Sequence, residues 1–308
     1  MRNSPLVSVL LPVYNAENFL NDSIESIIFQ TYKNWELLLI FDESKDNSLH
    51  IIKNFVKEDS RIRLVNNPKK GLIPALNHGI KLANGDFLVR MDSDDICMPD
   101  RIEQQVKHMI NNKLDICGCH HYIIDKKENL GDVSYVPLLH ENCFIRLLSA
   151  VPFAHPSVVI RKSFLIKKDL KYGMSSKFAE DLDMWINMYN AGAIFGNIDK
   201  IKLKYRILET SLSRQNAKSL MKESLLLYNS FFERNLDKIS NILSKTFELK
   251  NDVEEYYFAR MVVRYILITG EFRKLRNLFA VNFKTFTRAL LVELKNLILR
   301  ITINPNKN

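Results

Sequence analysis

Three carboxylates fall within four residues at Asp92-Ser93-Asp94-Asp95, directly after the largely apolar run Phe87-Leu-Val-Arg-Met91. Acids packed this closely repel one another unless a cation joins them. A hard divalent ion, Mg²⁺ or Mn²⁺, takes carboxylate oxygens together with substrate phosphates, so a D-x-D at a strand end suits a metal and diphosphate site. The same residues also suit a solvated turn leading into a helix that the pattern places at Arg101 to Ile110. A second acidic pair, Glu180-Asp181, precedes Leu182, Trp185, Ile186 and Tyr189 at helical spacing, where acids complement a helix dipole. Cys117-Gly-Cys119-His120-His121 offers soft ligands in five positions, but a zinc site draws ligands from separate elements and the second pair is missing.

The elements that would hold these residues are legible in the hydrophobic pattern. Val7 to Val13 and Trp35 to Phe41 are short apolar runs, and between them Phe19, Leu20, Ile24, Ile27 and Ile28 recur at helical steps. The alternation continues with helices at Ser48 to Phe55 and Ile73 to Ala83, and strands at Ile62 to Val65 and Asp86 to Met91. Strands alternating with helices imply a parallel sheet with right-handed crossovers, and nearly unbroken apolar strands imply cover on both faces. Ligands of such sheets bind beyond the carboxyl ends of the strands. Polar residues gather there: Tyr14-Asn15, Asp42-Glu43-Ser44, Asn66-Asn67 and Asp92 to Asp95.

From about Ser213 the pattern turns to long helices, Leu220 to Phe232, Val253 to Leu267 and Phe283 to Ile301, which divides the chain into residues 1–212 and a helical region 213–308. From Met261 onward nine basic residues stand against Glu271 and Glu293, so this region carries most of the net charge of +9. Its stripes fit a bundle with a solvated basic face, and also docking on an anionic membrane surface. At 308 residues, with 46% hydrophobic and 26% charged residues, the composition is that of a globular protein and excludes disorder and collagen. The four cysteines are too few for a disulfide scaffold and are expected to be reduced and buried. Leu6 to Val13 is broken by Ser8 and Pro12, too short for a signal peptide or membrane span, which leads us to expect a cytoplasmic protein.

Six motifs follow one another in natural order: Val7-Ser-Val-Leu-Leu-Pro-Val-Tyr-Asn15, Gln30-Thr-Tyr32, Asp42-Glu-Ser-Lys-Asp-Asn-Ser48, Gly71-Leu-Ile-Pro-Ala-Leu-Asn-His-Gly79, Arg90-Met-Asp-Ser-Asp-Asp95 and Glu180-Asp-Leu-Asp-Met-Trp185. With them the chain resembles the family 2 glycosyltransferases, from about Val7 to Arg206. The resemblance implies an α/β fold of the GT-A type, Rossmann-like with a mostly parallel sheet, followed by the C-terminal helical region. It implies Pro12, Tyr14 and Glu17 near the nucleoside base and Asp42 on the uracil. This chain writes Phe41-Asp42-Glu43 where the family usually has two acids and a glycine. Asp94 becomes the direct metal ligand, Asp92 a further ligand or ribose contact, Asp95 a ribose contact, and Asp181 the base, with Glu180 beside it. His155 corresponds to a position close to the site. Arg206 opens a stretch, Ile207 to Ser213, that in the family often carries a basic residue to the phosphates, with Arg214 as a second candidate.

The chemistry agrees with that assignment. Sugar transfer from a nucleotide diphosphate needs a base at the acceptor hydroxyl and positive charge on the leaving diphosphate. One displacement inverts the anomeric centre. The resemblance thus implies a UDP-sugar donor, a hexose or N-acetylhexosamine, a glycan or lipid-linked acceptor of the lipopolysaccharide or capsule kind, and a β-linkage. A nucleotidyltransferase would carry a Gly- and Arg-rich phosphate loop, which Leu11 to Glu17 lacks. A basic adaptor for membrane or nucleic acid is the non-enzymatic alternative, but the phenylalanines around Arg273 and Arg276 fall at apolar helical positions, so nucleic acid is not expected as a partner.

Overall fold

The computed structural model describes residues 4–209, 211–244, 249 and 251–303. Met1 to Asn3 and, from the basic count, Lys307 lie outside the described residues, as does Thr210 of the Ile207 to Ser213 stretch. The first elements follow the expected alternation: β1 (Val7–Val13), α1 (Leu20–Ile28), β2 (Trp35–Phe41), α2 (Ser48–Glu58), β3 (Ile62–Asn66), α3 (Leu72–Leu82) and β4 (Phe87–Arg90). Then come β5 (Ile96–Cys97), α4 (Arg101–Asn111), β6 (Ile116–Ile124), β7 (Leu130–Ser134), α5 (His140–Leu147), a 3₁₀ turn (His155–Ser157), β8 (Val159–Arg161), α6 (Lys162–Lys167), α7 (Glu180–Asn190) and β9 (Phe195–Arg206). The chain continues through α8 (Leu212–Gln215), α9 (Ala217–Arg234), α10 (Leu236–Leu243), α11 (Asp252–Thr269), a 3₁₀ segment (Phe272–Ala280) and α12 (Phe283–Ile303).

Among the described residues the strands join one sheet in the order β3-β2-β1-β4-β8-β6-β9-β5, with β7 paired to β6. Its first four strands are parallel, as the crossovers require. The second half is mixed, because β8 and β5 enter antiparallel while β6 and β9 run parallel.

β1 and β2 are apolar on both sides because both sides are covered. Val7, Val9, Leu11, Leu37 and Leu39 pack with Leu20, Ile24 and Ile27 of α1 and Ile102 and Val106 of α4. On the other side α3 lies close, since a Cβ at Gly79 would stand 2.5 Å from Ile40 Cδ1. Glu36 interrupts β2 without cost to it: its carboxylate accepts from Ser8 Oγ (2.6 Å), Asn84 N (2.6 Å) and Nδ2 (3.0 Å), and Arg63 Nη1 (2.9 Å). Burial raises this carboxyl's pKa, and the hydrogen bonds outweigh it and hold the group below the usual glutamate range.

The chain divides into two compact units, Met1–Leu139 with Phe153–Gln215, and His140–Pro152 with Asn216–Asn308. The division read from sequence kept 140–152 with the first unit. In the structure α5 buries Cys143, Phe144, Ile145 and Leu147, and Phe144 meets Phe231 of α9 edge to face at 5.9 Å. Within the second unit α11 is capped at both ends: Asn251 Oδ1 accepts from Val253 N and Glu254 N, and Gly270 closes the helix in the left-handed conformation. All four cysteines are buried and none is in a disulfide among the described residues, with Cys117 and Cys119 in the core of β6.

Candidate active site

β4 ends at Arg90, and the chain turns through Asp92 to Asp95 before β5. The turn is pinned from three sides. Ser23 Oγ of α1 donates to Asp92 O (2.9 Å), Met91 N donates to Leu10 O of β1 (3.1 Å), and Ile96 pairs antiparallel with Lys204 of β9. Carrying that register two residues onward sets Arg206 opposite Asp94. Its Nε donates to Asp94 O (2.7 Å) and its backbone N to Asp95 Oδ1 (2.8 Å).

The three carboxylates offer oxygens within 4.8 Å of one another. Burial and then the Asp92 charge push Asp94 up to about 6, and the same causes raise Asp95 well above the usual range. Asp95 Oδ2 is buried without a hydrogen-bond partner among the described residues. A buried, mutually repelling set of hard oxygens with an orphaned acceptor fits a divalent cation. Asp92 and Asp94, half-buried, are the residues that would hold it.

Facing this turn is the start of α7. Asp183, buried in its first turn, accepts Ser175 N (2.8 Å) and Ser176 N (3.3 Å) on one oxygen and Asn187 Nδ2 (2.9 Å) on the other. Ser176 Oγ accepts Ala179 N (2.8 Å). These bonds fix the loop that delivers Glu180 and Asp181. Burial and then Asp181 push Glu180 up to about 7, and burial also raises Asp181. His155 stands 3.9 Å from Glu180 Oε1 through Nδ1 and hydrogen-bonds the Tyr172 hydroxyl through Nε2 (3.1 Å). Burial and then the Arg90 charge hold His155 well below its ordinary pKa, so at neutral pH it is an uncharged ring.

Arg90 connects the two acidic groups. Its guanidinium is buried, pairs with Asp92 through Nη1, and leaves Nε without a hydrogen-bond acceptor among the described residues. It lies close enough to Glu180 and Asp181 to lower both. Arg90 stood in the quoted motif but was not singled out, because a cation at the end of an apolar strand gives no periodic signal.

At the ends of β1 and β2 two loops interlock. Asn15 N donates to Ser44 Oγ (3.0 Å) and Lys45 N to Asn15 Oδ1 (3.0 Å). Glu17 N donates to Asp46 Oδ2 (2.9 Å), and Asn47 N donates to Glu17 Oε2 (2.9 Å). Tyr14 projects from this edge, 58% exposed, next to the half-buried Pro12 at the end of β1. Asp42 accepts Gly71 N (2.6 Å) and Glu43 N (3.0 Å), so it draws the loop before α3 toward β2. Gly71 sits there at φ 111°, a conformation that suits glycine alone.

The expectation for Arg206 changes. Its side chain is buried and committed: besides Asp94 O it donates to Asp125 O (3.1 Å) and Glu128 Oε1 (3.0 Å), and it lies over the Phe19 ring at 4.4 Å. It positions the acidic turn from behind and does not reach outward to a phosphate. Arg214 is exposed on α8. His120 is engaged elsewhere: its Nε2 meets Asp199 Oδ1 at 3.0 Å and its Nδ1 accepts Val136 N at 3.1 Å.

Known proteins are similar to this chain in sequence and in fold. The chain is 32% identical over 256 residues, 78% of its length and 91% of the other's, to the Escherichia coli UDP-Glc:alpha-D-GlcNAc-diphosphoundecaprenol beta-1,3-glucosyltransferase WfgD. It is 31% identical over 234 residues, 75% of its length and 83% of the other's, to the putative glycosyltransferase EpsE of Bacillus subtilis. In three dimensions it is similar to S. aureus TarS 1-349 in complex with UDP, at 17% identity and a TM-score of 0.59 over 92% of this chain and 80% of that one. It is likewise similar to the Pyrobaculum calidifontis mannosyltransferase PcManGT in complex with GDP-Man and Mn²⁺, at 12% identity and a TM-score of 0.57 over 100% and 89% of the two chains. These likenesses support the GT-A type of fold. The family model for glycosyl transferase family 2 matches residues 8–170, more than half of the chain, and the protein belongs to that family.

Proposed function

We propose that the protein transfers a hexose or N-acetylhexosamine from a UDP-sugar to a hydroxyl of a lipid-linked saccharide, with inversion and formation of a β-linkage, in the building of a surface polysaccharide of the lipopolysaccharide or capsule kind. The observation that carries this reading is the meeting of two acidic groups around one buried cation. The Asp92 to Asp95 turn lies on one side of Arg90, and Glu180 with Asp181 on the other.

In this reading Asp94 and Asp92 hold Mg²⁺ or Mn²⁺, and the ion supplies positive charge for the leaving diphosphate. Asp95 and Asp92 face the ribose, Asp42 reads the uracil, and Tyr14, Pro12 and Glu17 line the base. Asp181 accepts the proton of the attacking hydroxyl. Its burial favours that role, because a carboxyl raised above its ordinary pKa is a stronger base than one in water. Glu180 and the neutral His155 border the nucleotide-sugar. Arg206 acts through Asp94 and Asp95. Every residue so used belongs to the first unit, and the likeness to WfgD, whose name gives a UDP-Glc donor and a lipid-linked acceptor, supports the classes of donor and acceptor.

The test is thermal unfolding of the protein with UDP-Glc, UDP-Gal, UDP-GlcNAc and GDP-Man, with and without Mn²⁺, followed by transfer from the stabilising donor to a GlcNAc-diphospholipid. A ligand bound only to the folded state raises the midpoint, by about 2.7 kcal/mol of stability at one hundred times its Kd. The reading predicts a Mn²⁺-dependent shift with one UDP-sugar that Asp94→Asn removes. A shift with GDP-Man alone would replace the donor, and transfer by Asp94→Asn at the wild-type rate would remove the metal.

A further inference from the structure

We propose that α12 docks the protein on an anionic lipid bilayer, lying in the headgroup plane with Phe283, Leu291, Leu294 and Ile298 inserted. α12 is a helix of 21 residues, and its described side chains sort by exposure into two sectors. Ala289 and Glu293 are buried. The exposed ones are Phe283 (79%), Leu291 (69%), Leu294 (39%) and Ile298 (65%), together with Lys284, Arg288 and Lys295. At about 100° per residue, these seven fall within one arc of about 140°: the apolar four take its first part, and the three cations run along one edge.

Charge chooses the occupant. The sole acid in α12 is Glu293, and it is turned inward onto Arg260 of α11, with Nε and Nη2 each 2.6 Å from Oε1. The exposed arc therefore carries three positive charges and no negative one, beside large apolar side chains in water. A second protein surface of ordinary mixed charge would not match it, whereas anionic headgroups over acyl chains match both parts at once. No helix among the described residues is long and apolar enough to cross a membrane, so α12 would lie on the bilayer and not span it. The inference does not depend on the donor site, although a lipid-linked acceptor would give it a use.

The experiment is flotation of the full chain with vesicles of phosphatidylglycerol and phosphatidylcholine against phosphatidylcholine alone, without donor or acceptor. Three cations at an anionic surface make partitioning about a hundredfold tighter on the mixed vesicles. High salt removes most of that preference. Phe283→Ser with Leu291→Ser is expected to abolish binding. Lys284→Gln with Arg288→Gln and Lys295→Gln is expected to leave weak binding that no longer distinguishes the two lipids. Because the substituted side chains are exposed, the unfolding midpoint should stay at the wild-type value, which separates lost docking from lost folding. Wild-type protein that ignores both vesicles would overturn the proposal. So would a dimer broken by Phe283→Ser with Leu291→Ser, or salt-sensitive binding to duplex DNA, when either occurs without vesicle binding. None of these results touches sugar transfer, which a water-soluble acceptor analogue reads separately.

Discussion

The Arg206 guanidinium donates from Nε to the carbonyl oxygen of Asp94 at 2.7 Å, across the antiparallel pairing of β5 and β9. The residue that sequence reasoning sent outward to a phosphate is therefore the back support of the acidic turn. Groups that orient ligands from behind alter metal affinity about 10- to 100-fold when removed. Arg206→Lys should weaken Mn²⁺ binding by that factor, read by titration of the Mn²⁺-dependent rise in unfolding midpoint. It should also destabilise the fold by about 1–3 kcal/mol, since several carbonyls lose a donor. Unchanged Mn²⁺ affinity would limit Arg206 to stability.

Asp94 gives a pH dependence with a definite sign. Its pKa in the folded protein, about 6, lies above the ordinary aspartate value, so its ionisation costs stability as pH rises from the ordinary value to about 6. A bound cation requires the ionised form and reverses that cost. The midpoint gain from Mn²⁺ should thus be larger at about pH 7.5 than at about pH 5, and Asp94→Asn should flatten the difference.

Arg90 lowers Glu180 and Asp181 while burial raises them. Arg90→Gln removes the lowering influence, so the acidic limb of the kcat profile should move to higher pH and activity near neutrality should fall. Arg90→Lys should restore part of the profile by returning a charge. A uniform loss of activity with an unmoved pH limb would assign Arg90 to packing alone.

Glu36 tests the scaffold away from the site. Glu36→Ala leaves the donors of Ser8, Asn84 and Arg63 without their acceptor, a loss of about 3 kcal/mol in denaturant unfolding. Its pKa is lowered on folding, so the stability it supplies is present above the ordinary glutamate value and is lost as pH falls below about 4.3. The wild-type advantage over the variant should shrink in acid.

The parallel half of the fold was legible because each of its strands and helices carries its own period. β1, β2, α3 and the polar residues after each strand follow from spacing alone. The mixed half was not, because the pairing of β6 with β9 and β8 joins segments about which local periodicity says nothing. The same limit applies to α5, whose apolar face does not name the unit that receives it. Of the candidate site residues, Asp92, Asp94 and Asp181 stand in the quoted motifs, and His155 follows from the resemblance. Arg90, Asp183 and the true setting of Arg206 depend on contacts between residues far apart in the chain. Asp183 even stood inside the quoted Glu180 to Trp185 motif, yet its use as the anchor of the 175–176 loop is visible only in three dimensions.

In the proposed reaction Asp181 is the base of the sugar transfer, and single-turnover transfer by Asp181→Asn measures that role. The substitution keeps size and removes the proton acceptor, so the transfer rate should fall about a thousandfold. The Mn²⁺-dependent midpoint shift with the UDP-sugar should remain at the wild-type value. Transfer by Asp181→Asn within tenfold of the wild-type rate would move the base to another residue.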